Sequence, residues 1–218
     1  MHLYAGADIM LIAMNKGMLA LMLAMLVALP MSGCVGGQVA PAKIADEDLE
    51  SGWVLDNHSG GVSINSMFSA YVNIYCHTYQ NGSQKIDDGL MVLAKMSDVW
   101  FVNEVDTLNS LIDENLDEFK QTLEKELNCT ITINQQNKES AAIDGYNVTL
   151  HKYALSGSSK DGSVSGNVVR AAWNCLDNSV VAVLGVSISN YKQGSNAAMA
   201  PNPDQWENVN KMVLAIDC

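Results

Sequence analysis

Arginine is almost missing from this chain: Arg170 is the only one in 218 residues. Basic residues as a class are scarce, 12 against 24 acidic ones, and the net charge is −12. A surface of that sign repels nucleic acid and anionic lipid head groups, so a nucleic-acid partner is excluded. The usual catalytic signatures are absent as well. There is no Gly-x-Ser-x-Gly elbow, His-Glu-x-x-His helix, phosphate-binding loop or EF-hand loop. No two cysteines have the C-x-x-C spacing of a metal or redox site. No unbroken apolar run reaches the roughly 20 residues that span a bilayer core. No period of 20–50 residues repeats, which excludes solenoids and propellers.

What is present begins at the N-terminus. Lys16 is the only basic residue before Lys43, and an uncharged run of Leu, Met, Ala and Val follows from Met18 to Leu29. Its length suits a signal-peptide core of roughly 7–15 residues. Pro30 ends it, and Met31-Ser32-Gly33-Cys34 then has the order of a lipobox, with Met31 in place of the usual Leu. Cys34 is therefore the candidate lipidation site. Two other outcomes stay open: an uncleaved anchor, or an ordinary cleavage after Ala40. Residues 1–13 carry Asp8 and no Lys or Arg, so translation is expected to start at Met14. The expected division is a signal peptide over 1–33, a lipidated tether over 34–52 and one domain over 53–218. Removing 1–33 takes away Asp8 and Lys16 together, so the mature charge stays at −12.

Four more cysteines follow: Cys76, Cys129, Cys175 and Cys218. An even number in an exported chain points to two disulfides, with three pairings open. Sequons at Asn57, Asn81 and Asn147 are glycosylation candidates; a fourth, at Asn128, has a cysteine as its middle residue. The sequons, the scarce arginine and the Met-rich signal lean towards an archaeal source.

Residues 71–79 alternate with period two, placing Val72, Ile74 and Cys76 on one face and Tyr71, Tyr75 and Tyr79 on the other. The tyrosine stripe is a candidate binding face, against the plainer role of a second packing layer. Further strands are expected over 90–96, 130–134, 146–155, 168–175 and 179–189, with a Gly/Ser-rich loop over 156–165. Leu108, Ile112, Leu116, Phe119, Leu123 and Leu127 recur at helical spacing and predict an amphipathic helix over 106–127. Asn202-Pro203 predicts the start of a last helix. The expected fold class is α+β: an antiparallel sheet packed by a central amphipathic helix and a C-terminal helix.

From about Phe101 onward this order resembles the PsbP-like fold. The carrying features are the amphipathic helix, a short strand, Ile143-Asp144-Gly145-Tyr146 leading into a long strand, the apolar strand Val180–Val186 and a closing helix. The front differs, since Gly61–Ile64 is followed by Asn65-Ser66-Met67-Phe68 without the family's Pro-x-x-Trp. The resemblance implies an extracytoplasmic lipoprotein and carries no shared active site.

Among residues that could do chemistry, His77 and His151 fall on expected strands, and Arg170 sits in an otherwise apolar one. No metal site and no cofactor are expected. The chain thus reads as a lipid-anchored binding or interaction protein without catalytic activity, on the outer face of the cell membrane. Its partners would be the membrane, through the lipid, and an envelope or protein component. The alternatives are an extracytoplasmic enzyme or substrate-delivery lipoprotein, and a structural envelope component. Convergence of Arg170, His151 or His77 with carboxylates in one cleft would favour the former alternative.

Overall fold

The computed structural model describes residues 40–56, 59–65, 68–81, 84–97, 129–158, 162–177, 179–193 and 205–218, with ten scattered positions between 105 and 125. The signal segment, Cys34, Asn57 and the Asn202-Pro203 cap lie outside the described residues.

Ten strands carry most of the described residues: β1 (Lys43–Ile44), β2 (Trp53–Leu55), β3 (Gly60–Asn65), β4 (Phe68–Asn81), β5 (Gln84–Ser97), β6 (Thr130–Ile143), β7 (Tyr146–Ser158), β8 (Gly162–Asn174), β9 (Ser179–Gln193) and β10 (Ile216–Asp217). A helix spans Gln205–Leu214. The main sheet is antiparallel in the order β2-β4-β5-β9-β8-β7-β6, and β3 lies beside β2 along the same edge of β4. β1 and β10 form a separate two-stranded sheet.

The expected α+β class is corrected here. Among the described residues the structure is mostly β, an antiparallel main sheet with a two-strand sheet and a C-terminal helix, and it is not an α+β fold organised around a central helix. The strands run longer than the hydrophobic pattern shows. β6 extends to Ile143, although positions 134–140 are exposed on both faces. An edge strand that is polar on both faces offers no alternation to read, and its polarity guards the edge against pairing with other chains. The stretch expected as a Gly/Ser loop is largely strand too, supplying the end of β7 and the start of β8. Asp144-Gly145 is a two-residue hairpin turn joining β6 to β7. Both residues have positive φ, 47° and 80°, as a type I′ turn requires.

Alternation along the central strands sends side chains to two cores. Val92, Ala94, Val168, Ala172, Ala182, Leu184 and Val186 face one way and meet Ile112 and Leu116, whose backbone is helical. Met91, Leu93, Val169, Ala171, Val181 and Val183 face the other way and meet Val209, Met212 and Val213 of the C-terminal helix. Burying each of the valine, leucine, isoleucine and methionine side chains contributes about 1.5–3 kcal/mol. Ala42 and Ile44, ahead of Trp53, also belong to this second core.

One disulfide joins Cys175 to Cys218. The expected second bridge is not formed: Cys129 is buried with a free thiol. The sheet order explains why, since β5, β9, β8 and β7 lie between Cys76 on β4 and Cys129 at the head of β6. A disulfide needs Cα atoms within about 7 Å of each other.

Candidate functional site

Two polar clusters stand inside the sheet. The first is a closed chain of hydrogen bonds under the start of the C-terminal helix. Trp53 Nε1 can only donate, and it donates to Gln205 Oε1 at 2.8 Å. The Gln205 amide nitrogen therefore faces His77 Nε2, 3.2 Å away, and that ring nitrogen must accept. His77 Nδ1 then carries the proton and donates to Asp88 Oδ1 at 2.5 Å. Asp88 is wholly buried and His77 is nearly so. No ring nitrogen is left for a substrate, and Gly52 closes over Nε2: a Cβ there would stand 2.7 Å from it. The cluster joins β2, β4 and β5 to the helix.

The second cluster opens to solvent. β7 and β8 pair from Ser158–Ser163 to His151–Arg170 and no further, while β6 stays paired with β7 as far as Ile143–Tyr146 and β8 with β9 as far as Asn174–Val180. The sheet forks at His151 and Arg170. The far prong is tied to the β8–β9 turn and to the C-terminal segment. Tyr146 Oη accepts from Leu176 N at 2.6 Å, and Asp144 Oδ2 accepts from Cys218 N at 3.2 Å. A cleft of about 920 Å³ fills the fork. Thr149 and His151 form one wall, Ala172 and Trp173 the other, and Asn109 and Asp113 overhang it. That volume is ordinary for a small-molecule site.

Arg170 is the pivot. It is 4% exposed, and every side-chain nitrogen is engaged. Nε donates to Tyr153 Oη at 2.8 Å, Nη1 to Asn109 Oδ1 at 2.8 Å and Nη2 to the Asp113 carboxylate at 2.6 Å. Its guanidinium also lies 5.8 Å from the Tyr153 ring centre. Asn109 and Asp113 are four residues apart with helical backbone, so both reach the sheet from one helical face. Lys138, His151 and Arg170 are successive cross-strand partners on β6, β7 and β8. The three basic side chains consequently stand side by side on one face. Burial, then the Arg170 and Lys138 charges, push the His151 pKa below its ordinary 6.5, with Asp113 pulling the other way. Two buried nitrogens bordering the cleft, His151 Nδ1 and Trp173 Nε1, have no hydrogen-bond partner among the described residues.

The other residues singled out in the sequence are dispersed. Tyr75 is 3% exposed and its hydroxyl accepts from Ile44 N, so the middle of the tyrosine stripe is a packed layer; Tyr71 and Tyr79 are half-buried. Asn147 is exposed on the cleft wall, and Asn81 ends β4. Among the described residues, no group of three or more His, Cys, Asp or Glu could hold a metal ion. Sequence reasoning named Arg170 and His151 but missed Lys138, Trp173, Asn109 and Gln205. Only the strand register brings Lys138 beside His151, and residue spacing does not encode it.

No family model matches the chain, and no curated protein matches it.

Proposed function

We propose that this chain is an exported, lipid-anchored protein that takes a small polar ligand in the fork between β7 and β8. The Ser32-Gly33-Cys34 sequence supports the anchor and, with it, the extracytoplasmic setting. The fork supports the ligand. One observation carries it: a roomy polar cleft in the sheet is bordered by two buried nitrogens without partners among the described residues. An unsatisfied buried donor costs about 1–3 kcal/mol, and a bound ligand would relieve that cost. The convergence of Arg170 and His151 with Asp113 favours handling of a small ligand over a flat interaction surface. The burial of Tyr75 weighs the same way, because it interrupts the tyrosine face.

Two experiments test the proposal. For the anchor, the Cys34→Ala variant is expressed in full and partitioned in detergent. The variant is expected in the aqueous phase, and retention in the detergent phase would refute lipidation at Cys34. For the cleft, the mature domain is purified from its native envelope and its small-molecule content is read by native mass spectrometry. A stoichiometric adduct is expected, lost on Trp173→Ala or Thr149→Trp. An adduct unaffected by both changes would place the ligand elsewhere.

The same convergence would serve an extracytoplasmic enzyme, the second reading. Its distinguishing result is turnover: a ligand recovered chemically changed after incubation with the wild-type domain, and unchanged with His151→Gln.

A further inference from the structure

We infer that the fork binds its ligand through an oxyanion, carboxylate or phosphate-like, seated on the cross-strand row Lys138–His151–Arg170. This inference rests on the fork being a ligand site and adds the chemical class.

The row concentrates positive charge in an acidic protein. This chain has a net charge of −12, with 24 acidic residues against 12 basic ones. Its only arginine nevertheless lies two strands from Lys138, with a histidine between them. Arg170 has its counter-ion in Asp113. Lys138 has no ion pair among the described residues. Glu139, its chain neighbour, pairs with Lys152 instead, at 2.6 Å. Among the described residues, the cleft's charged groups are therefore two cations, one carboxylate and one imidazole. A single negative charge on the ligand would balance them.

The geometry favours an anion over a neutral polyol in two further ways. Arg170 is fixed by Tyr153 and Asn109 independently of Asp113, so the guanidinium is already placed when a ligand arrives. Asp113 is the one exposed member of that shell, its side chain 54% accessible, and an incoming oxyanion can replace it on Nη2. Asp113 would then act as a resident competitor that holds the site closed to weak anions.

The experiment uses the mature domain, 34–218 with Cys34→Ser, titrated at pH 7 with sulfate, succinate and, as the uncharged control, erythritol. Binding is followed by calorimetry and by amide shifts of residues 138, 151 and 170. Sulfate or succinate should bind and shift those amides, and erythritol should not. Lys138→Gln should weaken the anion about tenfold, as loss of one charge-assisted contact implies. Asp113→Asn should strengthen it. Lys152→Gln removes an equal charge from the adjacent position on β7 and should leave the affinity unchanged. Equal losses in Lys138→Gln and Lys152→Gln would overturn the row as the seat, reducing it to general electrostatics. Erythritol binding without anion binding would overturn the oxyanion class while leaving a ligand site in the fork. If no probe shifts the row, the inference fails.

Discussion

His151 and Arg170 are the last paired residues of the β7–β8 ladder, and everything functional in the fork is measured from that pair. On one side the strands are zipped together to Ser158 and Ser163. On the other they part around the cleft. Arg170 is thus both the end of a ladder and the anchor of the overhanging residues Asn109 and Asp113.

Removing that anchor has a structural cost distinct from any effect on binding. Arg170→Ala leaves the Tyr153 hydroxyl and the Asn109 carbonyl without their donor. Asp113 is half-exposed and recovers water, which limits its share. The expected loss is roughly 2–4 kcal/mol in urea unfolding. Arg170→Met keeps the volume and should lose less. Equal stability of the alanine variant and the wild type would show that the overhang is not held by Arg170.

The Trp53–Gln205–His77–Asp88 chain predicts a second sensitivity at a position with no polar atom on its side chain. The Trp53 ring lies against the backbone of Gly89, where a Cβ would come within 2.5 Å of it. Gly89→Ala must push the indole away, lengthening its bond to Gln205. A destabilisation of about 1–3 kcal/mol is expected, as for other overpacked sites. Trp53→Phe in the same background should cost little more, because the bond is already lost. Additive costs of the two changes would contradict this coupling.

The Cys175–Cys218 bridge closes a separation of 43 residues. It holds the β1–β10 pair, and with it Ala42 and Ile44, against the core. Chain-entropy reasoning assigns such a loop about 3–4 kcal/mol. Cys175→Ser should lower stability by that order, and hydrogen exchange should quicken first at residues 42–44 and 216–218. Uniform quickening across the sheet would argue against a local latch.

The pH response follows from His151, whose folded pKa lies below 6.5 because of burial, Arg170 and Lys138, despite Asp113. Above 6.5 the ring is neutral in both states, and its contribution to stability is complete. As pH falls below 6.5, the unfolded chain takes up the proton first, and stability declines until the folded-state pKa is passed. Melting temperatures between pH 7.5 and 5 should fall more steeply for wild type than for His151→Gln. Parallel curves would mean that His151 does not titrate differently on folding.

Some of this was legible in the sequence and some was not, for identifiable reasons. The run Val180–Val186 signalled a strand buried on both faces because nearly all its side chains are apolar, and it lies at the centre of the sheet. The alternation of Val72, Ile74 and Cys76 was equally plain. Residues 134–140 carry no apolar face, so the hydrophobic pattern ends at 134 while β6 runs on to Ile143. Lys138 lies in that unpatterned stretch, and its place beside His151 is therefore not legible. Asp144-Gly145 reads as the entry to a strand when matched to the family pattern, whereas its positive-φ pair is a hairpin turn that pairs β6 with β7. Gln205 and Trp53 are 152 residues apart, a contact that no local pattern announces. Counting cysteines predicted two bridges, because a count carries no information on strand order.

The most direct measurement of the fork as a binding site is the indole N–H spectrum of the mature domain. Four tryptophans give four indole signals, and Trp173→Phe identifies the one that borders the cleft. Trp53 is the internal reference, since its N–H is already bonded to Gln205. On adding succinate or sulfate, the account predicts a downfield shift of the Trp173 indole with that of Trp53 unmoved, and loss of the shift in Lys138→Gln. A Trp173 signal that stays still while residues outside the fork respond would contradict it.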